Sequence, residues 1–280
     1  MIDFSDVLLT VDFDRTLTAP DSTIPRRNLE AIRYFMDHGG AFTVNTGRSI
    51  PMYQPLLDVV PVNAPLLLYN GSAAYDRDRR EVVFSHPIDL DWREAVREMM
   101  ERFPHLPVEV QGLDRHWLFR EDPRWLAFSQ ANGCPCGYAD FGDDLGPFLK
   151  FTVYGTITDT TVSHLYTGTP AEFAEMDGVE QVVAQRFGDK CVAYRSSGRI
   201  VDIQAKGVSK GACARELQER LGRKILVCVG DGENDVSMMD EADHSFCPGD
   251  AIIRDRYARV CSCAEGAVAD VIYKKIPEIL

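Results

Sequence analysis

Val7-Leu8-Leu9-Thr10-Val11-Asp12-Phe13-Asp14-Arg15-Thr16 sets an uncharged run of strand length directly against two carboxylates. Val7 to Val11 reads as a strand buried on both faces. Working outward, Leu29, Ile32, Phe35 and Met36 recur at helical spacing, and Gly39-Gly40 closes that helix. Ala41–Val44 and Leu66–Tyr69 are two more short apolar strands, each followed by a polar turn containing glycine. The rhythm returns near the other end. Ser209 caps a helix running to about Leu221, Gly222 ends it, and Ile225–Val229 is a continuous apolar strand before a Gly-rich turn. Apolar strands alternating with helices predict the α/β class, with a doubly wound parallel sheet.

The middle of the chain follows another rule. From about Glu81 to Gln204 the strands are longer and alternate in polarity, as in Phe148–Thr156 and Lys190–Arg195. Turns such as Gly133-Cys134-Pro135-Cys136-Gly137 interrupt them. This pattern predicts an α+β insert built on an antiparallel sheet. The expected division is a core over residues 1–86 and 205–280, with the insert over 87–204.

Bulk properties narrow the function. A chain of 280 residues is natural for two domains. The N-terminal segment lacks a basic region, and its apolar stretch is cut by Asp12 and Asp14, so it reads as neither signal peptide nor anchor. A cytoplasmic location is the expectation. The net charge of -13 argues against nucleic acid or an anionic membrane as partner. It also requires that any anionic substrate meet a local reversal of sign. The eight cysteines mostly sit singly in apolar stretches, where a reduced thiol packs as a small hydrophobe. Cys134-Pro135-Cys136 and Cys261-Ser262-Cys263 are tighter than zinc-ligand spacing, and no histidine pair accompanies them.

In open parallel sheets, ligands bind beyond the carboxyl ends of the strands. Asp12 and Asp14 follow the first strand; Asn45, Thr46, Gly47 and Arg48 follow the second. Lys206 and Lys210 flank the cap at Ser209, and Gly230-Asp231-Gly232-Glu233-Asn234-Asp235 follows Val229. Each piece alone has a plain reading as a turn, a cap or a solvated charge. Together they place Asp12, Asp14, Asp231 and Asp235 at one sheet edge, where like charges repel unless a cation sits among them. Hard oxygen donors favour Mg2+.

The set Asp12-x-Asp14-x-Thr16, Thr46-Gly47-Arg48, Lys210 and Gly230-Asp231-x-x-Asn234-Asp235 resembles the haloacid dehalogenase (HAD) superfamily of phosphatases. Tyr69-Asn70-Gly71, Lys206-Gly207-Val208-Ser209-Lys210-Gly211 and Ala264-Glu265-Gly266-Ala267-Val268 are similar to its Cof-like branch. The resemblance implies a Rossmann-like core carrying a C2B-type cap. Arg15 departs from the pattern, since relatives commonly carry glycine there.

The resemblance further implies an aspartyl-phosphate mechanism. Asp12 would be the nucleophile, and Asp14 the general acid and base. The Asp12 carboxylate, the Asp14 carbonyl and Asp231 would hold Mg2+, with Asp235 orienting Lys210 or a metal-bound water. Thr46, Gly47, Arg48, Lys210 and Asn234 would surround the phosphate, with Lys206 as competitor to Lys210 and a salt bridge to an acidic neighbour as the equal alternative for Arg48. The expected partner is a small phosphorylated metabolite, a sugar phosphate foremost. A phosphosugar mutase and a silent sugar-phosphate-binding regulator are the alternatives. In the insert, Asp114-Arg115-His116-Trp117 reads as a strand end with a half-buried indole in preference to a polar-aromatic cluster facing a sugar, and Trp125 with Phe128 as a helix face.

Overall fold

The computed structural model describes residues 2–158 and 167–280. The chain forms two compact units: Met1–Gly47, Leu56–Phe84 and Ser209–Leu280 make one, Arg48–Pro55 and Ser85–Val208 the other.

The first unit is built on five parallel strands in the order Ala258–Arg259, His244–Cys247, Ile225–Val229, Val7–Val11 and Ala41–Val44. Every residue from Val7 to Val11 is buried, so helices must cover both faces of the sheet. Helices Lys210–Arg220 and Val236–Glu241 bring Leu217, Met238 and Met239 onto the side carrying Leu8, Leu226 and Cys228. Leu9 and Val11 point the opposite way in the pleat and are just as inaccessible. Helices Arg26–Asp37 and Ala267–Asp270 pack together in the same unit. Thr10, the one hydroxyl in strand Val7–Val11, lies 3.2 Å from Cys228 Sγ. The architecture is α/β with a parallel-sheet core and an additional sheet domain.

Leu66–Leu68 departs from the simple alternation. It touches the parallel sheet through a single bridge, Asn45 to Leu67, and otherwise pairs antiparallel with Ala73–Asp76. The chain reverses at Tyr69, Asn70 and Gly71, whose φ angles of +54°, +53° and +98° form a turn too tight for a crossover helix.

The second unit holds a six-stranded sheet in the order Cys191–Ser197, Ile200–Ala205, Lys150–Tyr154, Val108–Gln111, His116–Leu118 and Cys136–Tyr138. All its pairings are antiparallel except the last, where Cys136–Tyr138 runs parallel to His116–Leu118. Helices Trp92–Arg102 and Pro170–Phe187 supply Val96, Met99, Val179 and Val183 to a core shared with Val110, Phe151, Val153 and Ile203. Trp117 packs against this core, and Trp125 and Phe128 join Leu118 and Tyr154 in a second cluster. None of the eight cysteines is in a disulfide. No described helix is long and apolar enough to cross a membrane.

Candidate active site

Strand register builds the site. Val11 pairs with Val229 on one side and Val44 on the other, so three strands end level with one another. The residues that follow, Asp12, Asn45-Thr46 and Gly230-Asp231, therefore leave the sheet at one edge. The Asp12 N–H donates to the Val229 carbonyl at 2.9 Å, and the Asn45 N–H to the Val11 carbonyl at 2.9 Å. Both bonds extend the ladders one step and fix where the side chains emerge. Gly230 then permits a close approach: a Cβ there would come within 2.5 Å of the Asp235 Cβ.

Asp12, Asp231, Asp235 and Lys210 are all buried, at 6%, 7%, 1% and 1% exposure. One carboxylate oxygen from each of the three aspartates lies within 4.8 Å of the others. The Lys210 ammonium lies between two of them, donating to Asp12 Oδ1 and Asp235 Oδ1 at 2.6 Å each. The second oxygen of Asp235 accepts the N–H groups of Asp231 and Gly232 at 2.9 and 3.0 Å. Asp235 thus holds the lysine with one oxygen and the loop with the other. Thr16 donates its hydroxyl to Asp231 Oδ1 at 3.2 Å, and Arg15 Nε lies 3.9 Å from Asp231 Oδ2.

Three carboxylates and one ammonium cannot balance in a buried space. Burial, reinforced by the charge of Asp235, holds the Asp12 carboxyl well above its ordinary range. Burial and then Asp235 push Asp231 up to about 7. Burial opposes the Lys210 charge, but Asp12 and Asp235 outweigh it and raise its pKa. The strain is an excess of negative charge among hard oxygen donors. A divalent cation of the magnesium type fits this donor set and removes the excess.

Residues 9–255 match the model of the haloacid dehalogenase-like hydrolases. The chain belongs to this family. Its branch is that of the Cof-like phosphatases. It is 25% identical to the 5-amino-6-(5-phospho-D-ribitylamino)uracil phosphatase of Bacillus subtilis, over 87% of this chain and 88% of that one. It is 22% identical to the pyridoxal phosphate phosphatase of Escherichia coli, over 87% and 88%. In fold it is similar to a solved HAD subclass IIB sugar phosphatase, with a TM-score of 0.76 at 18% identity, over 98% of this chain and 99% of that one.

In this HAD hydrolase the expected residues are not all gathered equally. Asp12, Asp231, Asp235 and Lys210 converge. Asp14 is partly exposed in the turn Phe13–Leu17, two residues past Asp12. Thr46 is buried at the sheet edge, tied by its N–H to the Leu67 carbonyl and by its carbonyl to the Asn70 N–H. Gly47 lies beside the Asn70 side-chain amide, and Asn234 Nδ2 reaches Asn70 Oδ1 at 3.5 Å. Arg48 falls within the second unit. Lys206 is also in that unit, where its ammonium donates to the Gly188 carbonyl at 2.9 Å.

Three contributors escaped the sequence reading. Thr16 stood in the motif without a role, yet it bonds Asp231. Asn70 holds a left-handed turn beside Gly47 and Asn234; Tyr69-Asn70-Gly71 was its only signal. Asn45 looked like a turn residue, but its side-chain amide donates to the Lys210 carbonyl at 2.9 Å.

Proposed function

We propose that the chain hydrolyses phosphate monoesters through an aspartyl-phosphate intermediate on Asp12. The observation that carries this reading is the buried Asp12 carboxylate, bonded to Lys210 and within 4.8 Å of the Asp231 and Asp235 carboxylates. A nucleophile so placed has an ammonium beside it and a polar cradle around it, in a site shielded from bulk water.

Asp12 and Asp231, with the Asp14 carbonyl, would hold Mg2+, which when bound supplies positive charge against the phosphate dianion. Asp12 attacks phosphorus while the bond from phosphorus to the leaving oxygen breaks, and Asp14 gives that oxygen its proton. Water then attacks phosphorus, passes a proton back to Asp14 and frees the Asp12 carboxylate and inorganic phosphate. Lys210, the Thr46 hydroxyl, Gly47 and Asn234 hold the transferring oxygens. Asp235 keeps Lys210 aimed, since both of its oxygens are already engaged by the lysine and the loop.

The substrate proposed is a sugar phosphate or a similar small phosphorylated metabolite. Curated relatives named for phosphorylated small molecules support that class. The test is turnover of a chromogenic phosphomonoester with Mg2+. Chelation should remove activity and added Mg2+ restore it. Asp12→Asn should give only background hydrolysis; turnover by a folded Asp12→Asn variant overturns the mechanism.

A further inference from the structure

We propose that Asn45 is a positioning residue for phosphoryl transfer, locking the lysine-bearing helix to the strand end that carries Thr46. The proposal rests on the reading that Lys210 holds the transferring phosphoryl oxygens.

Asn45 sits where three parts of the site meet. Its N–H bonds the Val11 carbonyl, one residue before Asp12. Its own carbonyl carbon begins the peptide of Thr46. Its side-chain Nδ2 donates to the carbonyl of Lys210 at 2.9 Å, joining residues 165 apart in the chain. That carbonyl belongs to the first residue of helix Lys210–Arg220, so the bond fixes the helix start, and with it the root of the lysine side chain. The same helix start is also confined by the turn at Gly71, which approaches so closely that a Cβ there would come within 2.4 Å of the Ser209 carbonyl oxygen.

The arrangement carries a penalty. Asn45 is fully buried, and its Oδ1 has no hydrogen-bond partner among the described residues. A small apolar side chain would avoid that unmet acceptor and still let the backbone pair. The amide is used for one bond, and that bond sets where Lys210 stands relative to Asp12 and Thr46. Lys210 reaches Asp12 and Asp235 at 2.6 Å, so a small rotation of its helix would break both contacts at once. A misplacement of about 1 Å costs roughly 100-fold in rate when it misaligns reacting groups.

The experiment compares Asn45→Ala, Lys210→Arg and the double variant on a chromogenic phosphomonoester with Mg2+, with melting temperature measured for each. Asn45→Ala should lower kcat by about 10- to 100-fold, leave KM within about 2-fold and keep a cooperative melt. In the Lys210→Arg background the same change should cost at most about 2-fold more, because it acts through the lysine. Wild-type kcat in folded Asn45→Ala, or losses that multiply in the double variant, would overturn the proposal. Should Asn45→Ala fail to fold, Asn45→Leu keeps the size, removes the donor and is judged by the same criteria. Full turnover by Lys210→Arg instead overturns the assignment of Lys210 itself. A crippled Lys210→Arg beside an intact Asn45→Ala removes only the positioning role.

Discussion

The two sheets treat polar residues in opposite ways. In the parallel sheet, strands Val7–Val11 and Ile225–Val229 are apolar almost throughout, and charge is held back until the strands end. In the second unit, strands carry charge in mid-course, and that charge is buried. Lys150 lies 3.1 Å from Asp202, with both side chains at most 5% exposed. Asp202 also accepts from Thr152 at 2.8 Å and from Ser196 at 2.5 Å. Gln111 bridges Glu109 and Thr152, and His116 Nδ1 stands 2.6 Å from Glu109 Oε1. Buried charge in the second sheet is therefore largely paired and bonded across strands, which holds it in place. Buried charge at the end of the first sheet is in surplus and strained, and the proposed chemistry rests on that surplus.

That contrast can be broken in several places. The largest effect expected beyond Asp12→Asn is for Asp14→Asn, which should lower kcat by about 100- to 10,000-fold, the range for a lost acid–base group. Steady-state kinetics would check this, and the loss should be greater for an alkyl phosphate than for a nitrophenyl phosphate, whose leaving group needs no proton. Equal losses on both would move the acid role elsewhere. Next is Asp202→Ala, which strands Lys150 without its carboxylate and should cost about 3–5 kcal/mol of stability in a denaturant melt. A cost near zero would mean that water already solvates the pair and that the contrast between the sheets is false.

The smallest effect concerns Arg15. It occupies a left-handed turn at φ +63°, where a side chain is strained and glycine is not. Arg15→Gly should raise stability by about 0.5 kcal/mol through relief of that strain. It should also remove the guanidinium that lies 3.9 Å from Asp231, one of the few positive charges facing the carboxylates. A fall in melting temperature would show that this ion pair outweighs the strain.

The chain pattern made the strands Val7–Val11, Ala41–Val44 and Ile225–Val229 readable because they are short, uncharged runs that stop at polar or glycine-containing turns. Ser209 was readable as a cap, and its side chain accepts the Ala212 N–H at 3.0 Å. Helix Lys210–Arg220 follows directly from it. The edges of alternating strands were less legible: Lys190–Arg195 became Cys191–Ser197, and Phe148–Thr156 shrank to Lys150–Tyr154. Mixed polarity blurs a strand end, because polar residues continue into the turn without a break.

What the sequence alone determined was the order of the site: which carboxylates follow which strands. Local pattern suffices there, since a strand end and a helix cap depend on near neighbours. Only the tertiary structure decided which of two nearby lysines enters the site: Lys210 opens helix Lys210–Arg220 and reaches Asp12, whereas Lys206 lies in the turn before the Ser209 cap and bonds the Gly188 carbonyl. It alone also revealed Asn45 and Asn70, whose partners are more than 160 residues away in the chain. Contacts of that range depend on strand register and helix packing, and no window of sequence contains both sides.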